Sequence, residues 1–330
     1  MTVLNSAKLI KNLFNNPATE PTRNGFGRGL VIAGKNDQRV VVLCADLSES
    51  TRVLEFKNNF PDRFVQMGVS EQSLAAIASG MALAGKIPFI ASYACFSPGR
   101  NWEQIRTTGC LQNVNLKIVG AHAGVSVGPD GATHQMTEDI ALMRVLPNMI
   151  VLAPCDAIEA EKATAAAAQI DGPVYLRLGR EATPIFTTQH SPFKIGEAQI
   201  LTKGTDVAIV ACGSLVYEAL KAARELEKSG VMARVINCPS IKPMDNETII
   251  KAAKECGAVV TVEEAQIAGG LGGTVCELLA MECPVPVIRL GLQDEFGQSG
   301  APDELIEHYH LTAPWIVKAV KKVIKKARLK

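Results

Sequence analysis

The sequence predicts an α/β protein of two domains, each built on a mainly parallel sheet covered by helices. Short apolar runs of strand length alternate with amphipathic or alanine-rich stretches of helix length, and this pattern is typical of parallel sheets with covering helices. The chain has 330 residues, of which 47% are hydrophobic and 20% charged. A chain of this length and composition can bury two cores.

Six strands are predicted in the first domain, which we place at residues 1–185. Their segments are VVVLCAD (40–46), RFVQMGV (63–69), IPFIASY (87–93), LKIVGAH (116–122), MIVLAPC (149–155) and PVYLRLG (173–179). Helical patterns cover 70–85 and 156–170 between these strands. Strands that alternate with helices in this way are expected to lie parallel to one another.

The second domain is placed at residues 186–330. A polar, proline-containing segment at 181–194 predicts the linker before it. A new alternation begins with the strand DVAIVACGS, and a helical pattern follows at 214–230. Glycine-rich stretches at 212–219 and 268–279 are interpreted as tight strand-to-helix turns rather than anion sites.

Charge and composition exclude several classes of partner. The formal net charge is +1, so there is no electrostatic reason to expect nucleic acid or an anionic membrane. The basic end, KKVIKKARLK, predicts only the solvated face of a last helix. No apolar run reaches membrane-spanning length and the N-terminus lacks a signal sequence. The nine cysteines include no C-x-x-C pair, so we expect reduced core residues in a cytoplasmic protein.

The segment FVQMGVSEQSLAAIASGMALAG (64–85) contains the first candidate for chemistry. A strand here runs into a glycine turn, and Glu71 stands where the next helix begins. An apolar setting disfavours the charged form of a carboxyl group, so Glu71 could hold or pass a proton near neutral pH. The alternative is an acid that merely complements the helix dipole, and this segment alone favours the alternative.

Two aromatic residues follow on the next strand. The segment IPFIASYACFSPGRNWEQIR (87–106) predicts a strand that brings Tyr93 and Phe96 to its far end, and then a helix that opens after Pro98 and Gly99. Two rings near a buried acid could form a flat slot for a heterocycle. They could equally belong to the core, and the spacing alone does not decide.

The next loop carries a resemblance to a known family. The run KIVGAHAGVSVGPDGATHQMTEDIALMRVLPNMIVLAPCD (117–156) resembles the thiamine-diphosphate enzymes of the transketolase family, and its GPDGATHQ stretch is highly specific. The resemblance extends from about Thr22 to the C-terminal helix. It corresponds to the second half of a transketolase, the pyrimidine-binding domain plus the C-terminal domain. It implies that the C-terminal domain serves dimer contact and stability.

The resemblance implies thiamine diphosphate as the cofactor. Glu71 matches the glutamic acid that bonds the pyrimidine nitrogen and favours the imino form, which the cofactor needs to lose the proton of its thiazolium carbon. Phe96 and Tyr93 match positions that stack on or wall the pyrimidine ring. The family often has a third aromatic residue where Gly99 stands here. Asp46 matches an acid near the cofactor, and its alternative is a plain turn or helix cap.

The resemblance also implies a phosphorylated sugar as the substrate. Asp130 and His134 match residues that hydrogen-bond the sugar hydroxyls, and His134 would also shuttle protons near the carbonyl group. The residues implied to hold the substrate phosphate are Arg23, Ser50, His122 and Arg180. Guanidinium groups suit this role because their donors fork onto phosphate oxygens. Each of these residues, taken singly, has a structural alternative such as a satisfied histidine or a surface charge.

No magnesium site is expected in this chain. The family holds Mg²⁺ and the cofactor diphosphate with a Gly-Asp-Gly motif and a later asparagine, and the sequence contains no such pair. Oxygen ligands of this kind suit the ion. We therefore expect a second polypeptide, similar to the N-terminal half of a transketolase, to supply the Mg²⁺ site. The active site would form between the two chains in a heterotetramer, with a homodimer contact through this chain.

The expected function is that of a transketolase subunit, which transfers a two-carbon ketol unit between a ketose phosphate and an aldose phosphate. The beta subunit of a 2-oxo acid dehydrogenase has a similar length and the same glutamate, but the loop around Asp130 and His134 follows the transketolase pattern. 1-Deoxyxylulose-5-phosphate synthase also carries the histidine loop, but it is normally one chain. A catalytically silent assembly subunit would gain nothing from the five polar groups at strand ends, which are Glu71, His122, Asp130, His134 and Arg180.

Overall fold

The computed structural model describes residues 1–328, and in this range the chain forms fourteen strands and eleven α-helices. The strands are β1 (Thr19–Pro21), β2 (Val40–Cys44), β3 (Phe64–Gln66), β4 (Ile87–Tyr93), β5 (Lys117–Ala121), β6 (Ile150–Leu152), β7 (Val174–Arg177), β8 (Ala182–Pro184), β9 (Gln199–Ile200), β10 (Val207–Ala211), β11 (Ala233–Asn237), β12 (Ser240–Lys242), β13 (Val259–Gln266) and β14 (Val287–Leu292). The helices are α1 (Thr22–Asn36), α2 (Leu54–Asn59), α3 (Glu71–Leu83), α4 (Trp102–Gln104), α5 (Asp139–Arg144), α6 (Ala157–Ala167), α7 (Leu215–Lys228), α8 (Asn246–Cys256), α9 (Leu271–Glu282), α10 (Pro302–His308) and α11 (Ala313–Arg328). None of these helices is long and apolar enough to cross a membrane.

The larger sheet has seven strands in the order β12-β6-β7-β5-β4-β2-β3. Its neighbouring strands are parallel except for β12 and β6. The strands β2, β5 and β7 are buried along their whole length, as expected for a parallel sheet covered on both faces. Because the parallel strands point the same way, their carboxyl ends meet at one edge of the sheet. We call this edge the carboxyl edge.

The second sheet has five strands in the order β14-β13-β10-β11-β9, with β9 antiparallel and the others parallel. The α/β fold class and the six predicted strands of the first domain are therefore confirmed. Gly213 (φ 62°) and Gly269 (φ 75°) lie just before α7 and α9, which confirms the interpretation of the glycine-rich stretches as turns. The basic end forms the exposed face of α11 up to Arg328, and its last two residues lie outside the described residues.

The segment predicted as the linker, residues 181–194, contains a strand and buried contacts. It contains β8, which pairs antiparallel with β1. Beyond β8, Phe186 is fully buried, and the backbone N–H of Thr187 donates to Asp156 Oδ2 at 2.7 Å. Packing and hydrogen bonds therefore fix this segment, and its role as the linker stays a prediction.

The two sheets are joined by exchanged segments. Strand β12, from the C-terminal half, extends the larger sheet by pairing with β6. In the opposite direction, the N-terminal segment packs on the unit of the second sheet: Leu4 N–H donates to the Leu201 carbonyl oxygen, and the Tyr217 hydroxyl donates to the Leu13 carbonyl oxygen, both at 2.9 Å. The domain ranges 1–185 and 186–330 stay a prediction, since segments of each range pack with the other.

Helix α1 carries Arg23 to the carboxyl edge through a close contact with α6. A Cβ atom at Gly25 would overlap the carbonyl oxygen of Ala157, and one at Gly29 would lie 2.5 Å from the carbonyl oxygen of Glu161. The absence of side chains at these two positions therefore sets the distance between the helices.

We predict that Gly25→Ala destabilises the chain by about 1–3 kcal/mol, because the added methyl group must push α1 from α6. Gly80→Ala on α3 is the matched control, since a Cβ there meets nothing within 4 Å. This control is expected to gain roughly 0.5–1 kcal/mol, because alanine is the better helix former. Urea unfolding of both variants measures this, and equal stability of the two would contradict the packing described.

Candidate active site

The carboxyl edge gathers most of the predicted site residues. Tyr93 is the last residue of β4, and Glu71 is the first residue of α3, which follows β3. His122 comes directly after β5, and Arg180 comes shortly after β7. The parallel topology thus places residues that are far apart in sequence on neighbouring strand ends.

Glu71 forms an ion pair that the sequence did not predict. Its side chain is 1% exposed, and its Oε2 accepts a hydrogen bond of 2.8 Å from Nη1 of Arg100, which is half exposed. The Glu71 carbonyl oxygen accepts a second bond of 2.9 Å from Asn101 Nδ2. The burial of Glu71 agrees with the expectation. Its surroundings are not purely apolar, however, since Arg100 pairs with the carboxylate and offsets the cost of burying its charge.

The two predicted aromatic residues lie beside this ion pair. The ring centroids of Tyr93 and Phe96 are 6.0 Å apart, with their planes at 17°. The guanidinium carbon of Arg100 lies 4.8 Å from the centroid of Phe96. Both rings are partly exposed, so they line a site rather than a closed core. A side chain at Gly99 would overlap the carbonyl oxygen of Cys95, which leaves no room for a third aromatic ring there.

His122 is buried next to Tyr93, with ring centroids 3.9 Å apart. Its Nε2 lies 2.9 Å from Nη1 of Arg23. A guanidinium group only donates, so Nε2 accepts and the proton of the neutral ring lies on Nδ1. This Nδ1 is buried without a hydrogen-bond partner among the described residues. Burial, followed by the positive charges of Arg23 and Arg180, lowers the pKa of His122 to about 3.

Arg23 stands in a region of crowded positive charge. Its Nη1 also donates to the carbonyl oxygen of Ser50 at 2.9 Å, while its buried Nε has no partner among residues 1–328. Burial and then the charges of Arg52 and Arg180 lower the pKa of Arg23. Neighbouring cations that are only partly neutralised make a favourable place for an anionic group.

The glycine-rich loop, residues 123–135, brings Asp130 and His134 to the same site. The His134 ring meets Phe96 edge-on, with centroids 5.5 Å apart, and its Nδ1 lies 2.9 Å from Oγ1 of Thr133. Asp130 is exposed, and its Oδ2 lies 3.6 Å from Nη1 of Arg180. The structure therefore joins the residues implied to bind the sugar hydroxyls to those implied to bind the phosphate.

Asp46 makes no hydrogen bond or ion pair to this group among the described residues. It is exposed with φ 60°, and its N–H donates to Gln66 Oε1 at 2.9 Å. Its side chain and N–H are hydrogen-bonded to Gln66, which is not a predicted site residue. This geometry fits the alternative of a turn residue, and the cofactor role stays a prediction.

Family models match both halves of the chain. The description "Transketolase, pyrimidine binding domain" matches residues 19–185, and "Transketolase, C-terminal domain" matches residues 196–316. The chain belongs to the transketolase family. The resemblance inferred from the GPDGATHQ loop and its surroundings is confirmed.

Relatives of similar length support the same assignment. The chain is 43% identical over 307 residues to the putative transketolase C-terminal section of Methanocaldococcus jannaschii, covering 92% of this chain and 96% of that relative. It is 39% identical over 289 residues to the 6-deoxy-6-sulfo-D-fructose transketolase subunit SqwH of Clostridium sp. (strain MSTE9), covering 88% and 90%. A solved structure described as "Split gene transketolase, inactive beta4 tetramer" has a TM-score of 0.87 and 45% identity, over 92% of this chain and 98% of that chain. These three relatives give no support to the 2-oxo acid dehydrogenase alternative.

The transketolase site fits the pyrimidine half of thiamine diphosphate. Arg100 contacts the Glu71 carboxylate and the Phe96 ring at the same time, and a flat group that donates to the carboxylate and stacks on the ring would make the same two contacts. A pyrimidine ring offers both kinds of contact. Glu71, Phe96 and Tyr93 are the residues that would hold it. Among the described residues, no cluster of three His, Cys, Asp or Glu side chains could hold a metal ion.

Sequence reasoning missed Arg100 and Glu264. Arg100 carried a weak signal, since it is an arginine directly after the aromatic turn. Glu264 carried a clearer one, because it follows Glu263 inside an apolar strand, where each buried carboxylate needs a partner. Its partner is the backbone N–H of Ser126 in the glycine-rich loop, at 2.7 Å. No local pattern connects these two distant segments.

We predict that His122 makes the stability of the isolated chain fall in mild acid. The unfolded chain takes up a proton near the ordinary histidine pKa of 6.5, whereas folded His122 does so only at about 3. Stability that is present above 6.5 is therefore lost as the pH falls from there towards 3. In urea unfolding at several pH values, His122→Asn should lack this part of the slope. His190→Asn, at an exposed position, controls for removing a histidine, and identical slopes in all three proteins would contradict the shift.

We also predict that Arg100→Met destabilises the isolated chain by about 1–3 kcal/mol, because it leaves the buried carboxylate of Glu71 without its donor. Adding Glu71→Gln to this variant should recover part of the loss. Arg39→Met is the control, since it breaks an ion pair in which Arg39 is 63% exposed, and such pairs contribute about 0–1 kcal/mol. Equal losses from Arg100→Met and Arg39→Met in urea unfolding would contradict the pairing.

Proposed function

We propose that this chain is one subunit of a two-chain transketolase that transfers a two-carbon ketol unit between a ketose phosphate and an aldose phosphate. The observation that supports this is a row of contacts that runs from Glu71 to Arg23. It passes through Arg100, Phe96, Tyr93 and His122 in turn. A carboxyl group suited to a cofactor ring and a cationic group suited to a phosphate thus lie in one site. A reaction between a bound cofactor and a bound sugar needs this proximity.

The cofactor end consists of Glu71, Phe96 and Tyr93. Thiamine diphosphate, when bound, would supply the carbon nucleophile and the electron sink of the reaction. Glu71 would hold the proton at the pyrimidine nitrogen, in a buried position where water does not compete for the hydrogen bond. Arg100 would have to leave the carboxylate, and its half-exposed side chain can turn towards solvent. Asp46 would lie near the cofactor.

The substrate end consists of the cationic group and the glycine-rich loop. Arg23 and Arg180 would bind the substrate phosphate through forked donors, with neutral His122 and Ser50 beside them. Asp130 and His134 would bind the sugar hydroxyls, and His134 would move protons near the carbonyl group. The Clostridium relative is named for a sulfonated sugar, and a terminal anion is the feature that this cationic group would recognise in either case.

The second subunit would supply the cofactor diphosphate and Mg²⁺ site, since the Gly-Asp-Gly motif is absent from this sequence. Two of the relatives are described as a subunit and as the product of a split gene, which supports a two-chain enzyme. Two such pairs would form a heterotetramer with contacts between copies of this chain. All nine cysteines are free thiols, in keeping with a reducing, cytoplasmic location.

We predict that the assembled enzyme depends on Glu71. The chain would be mixed with the subunit of the same genome that carries the Gly-Asp-Gly motif, together with thiamine diphosphate, Mg²⁺, xylulose 5-phosphate and ribose 5-phosphate. Glu71→Gln keeps the size of the side chain but cannot exchange the proton, so turnover should fall by about 10²–10⁴-fold. Product formation measured by a coupled assay gives the rate.

Glu282→Gln, at an exposed position in the C-terminal half, is the matched control and should leave turnover unchanged. Equal rates for wild type and Glu71→Gln would favour the silent assembly subunit. Full activity of this chain without the second subunit would contradict the two-chain arrangement. Lipoamide-dependent oxidation of a 2-oxo acid in place of ketol transfer would contradict the proposed reaction.

A further inference from the structure

The glycine-rich loop has little regular structure to fix its own shape. Its regular part is a pair of short 3₁₀ turns within Val125–Asp130, separated by a kink at Gly128 (φ 82°) and flanked by Gly124 at φ 90° and Gly131 at φ 70°. Positive φ values of this kind favour glycine, which leaves the unfolded loop many conformations. The positions of Asp130 and His134 therefore depend on contacts outside the loop.

Glu264, on β13 of the second sheet, provides one such contact. Its Oε1 accepts the 2.7 Å bond from Ser126 N–H, and a Cβ at Gly124 would overlap its carboxylate. The strand carrying Glu264 is itself fixed to the larger sheet, because Arg177 Nη2 donates to the Glu264 carbonyl oxygen at 2.7 Å. The carboxylate thus sits directly under the first turn of the loop, on a rigid support.

A second contact comes from residues 297–302, which precede and begin α10. Gln135 Nε2 donates to the carbonyl oxygen of Gln298 and also to that of Val125, both at 3.0 Å. A Cβ at Gly131 would lie 2.5 Å from Oγ of Ser299. Two separate segments of the C-terminal half therefore lie against opposite ends of the same loop.

We infer that the C-terminal domain positions the substrate loop, with Glu264 as a positioning residue for Asp130 and His134. This inference rests on the proposed function and extends it, since it gives the C-terminal domain a part in substrate binding beyond stability and dimer contact. Displacing catalytic groups by about 1 Å can cost about 10²-fold in rate. The carboxylate itself touches no substrate and acts through the backbone of the loop.

The neighbouring residue provides a matched control. Glu263 is also fully buried on β13, and its carboxylate accepts the N–H groups of Leu271 and Gly272 at 2.7 and 2.8 Å. It caps α9 and has no hydrogen bond to the glycine-rich loop among the described residues. Glu263→Met and Glu264→Met therefore remove the same kind of group from the same strand. The first change removes hydrogen bonds within the C-terminal domain, and the second removes the hydrogen bond to the loop.

The first test is amide hydrogen exchange in the isolated chain, which needs neither cofactor nor sugar. Glu264→Met should raise exchange across residues 124–134 by about tenfold or more, while Glu263→Met should raise it near Gly272 instead. Gly297→Ala is a second variant, which disturbs the loop through Gln135 and not through Glu264. Its added Cβ would overlap Oε1 of Gln135. It should also expose the loop, so the inference stays testable if Glu264→Met does not fold.

The second test is steady-state kinetics of the assembled enzyme, at a temperature where every variant is folded. Glu264→Met should lower kcat/KM for the ketose phosphate by about 10²-fold, and Glu264→Gln should restore most of it, because the amide oxygen can still accept from Ser126. Unchanged loop exchange in both Glu264→Met and Gly297→Ala would overturn the inference. So would an equal kinetic loss in Glu263→Met. An enzyme that shows the exchange pattern but no ketol transfer would instead overturn the proposed function.

Discussion

The burial of the Glu71 carboxylate at the carboxyl edge is the constraint on which the site depends. A carboxylate with 1% exposure needs a donor, and Arg100 provides one while also covering the Phe96 ring. The same guanidinium group thus satisfies the acid and the aromatic face. Under the proposed function a pyrimidine ring would make both of these contacts in place of Arg100.

The opposite side of the site, around Arg23, carries positive charge that is only partly neutralised. Burial and then the charges of Arg52 and Arg180 lower the pKa of Arg23. Burial and then the charges of Arg23 and Arg180 lower the pKa of His122. The carboxylates of Asp130 and Glu181 pair with Arg180 only at 3.6 and 3.7 Å, so they neutralise this group in part. The site therefore has two different ends, an acid and a cationic group, with two stacked rings between them. Under the proposed function the cofactor ring would bind at the acid and the anionic substrate at the cationic group.

The fold could be predicted because it depends on local pattern, whereas the residues at the strand ends were identified as site residues through the resemblance to the transketolase family. Buried strands such as β2 and β5 are recognisable as apolar runs in the sequence. Because the strands are parallel, His122 and Glu71 lie at the same edge of the sheet. The contacts that could not be predicted join distant segments. Nothing near Glu264 indicates that it bonds Ser126, and nothing in the polar segment after β8 indicates that Phe186 is buried. Such contacts follow from how the two sheets pack, which no local periodicity encodes.

The most direct test is a structure of this chain with its second subunit, thiamine diphosphate and Mg²⁺, in which the distance from the Glu71 carboxylate to the pyrimidine nitrogen is measured. The account predicts a hydrogen bond of about 2.6–3.2 Å, with Arg100 displaced from the carboxylate. A cofactor ring bound elsewhere, with the bond between Arg100 and Glu71 intact, would contradict it.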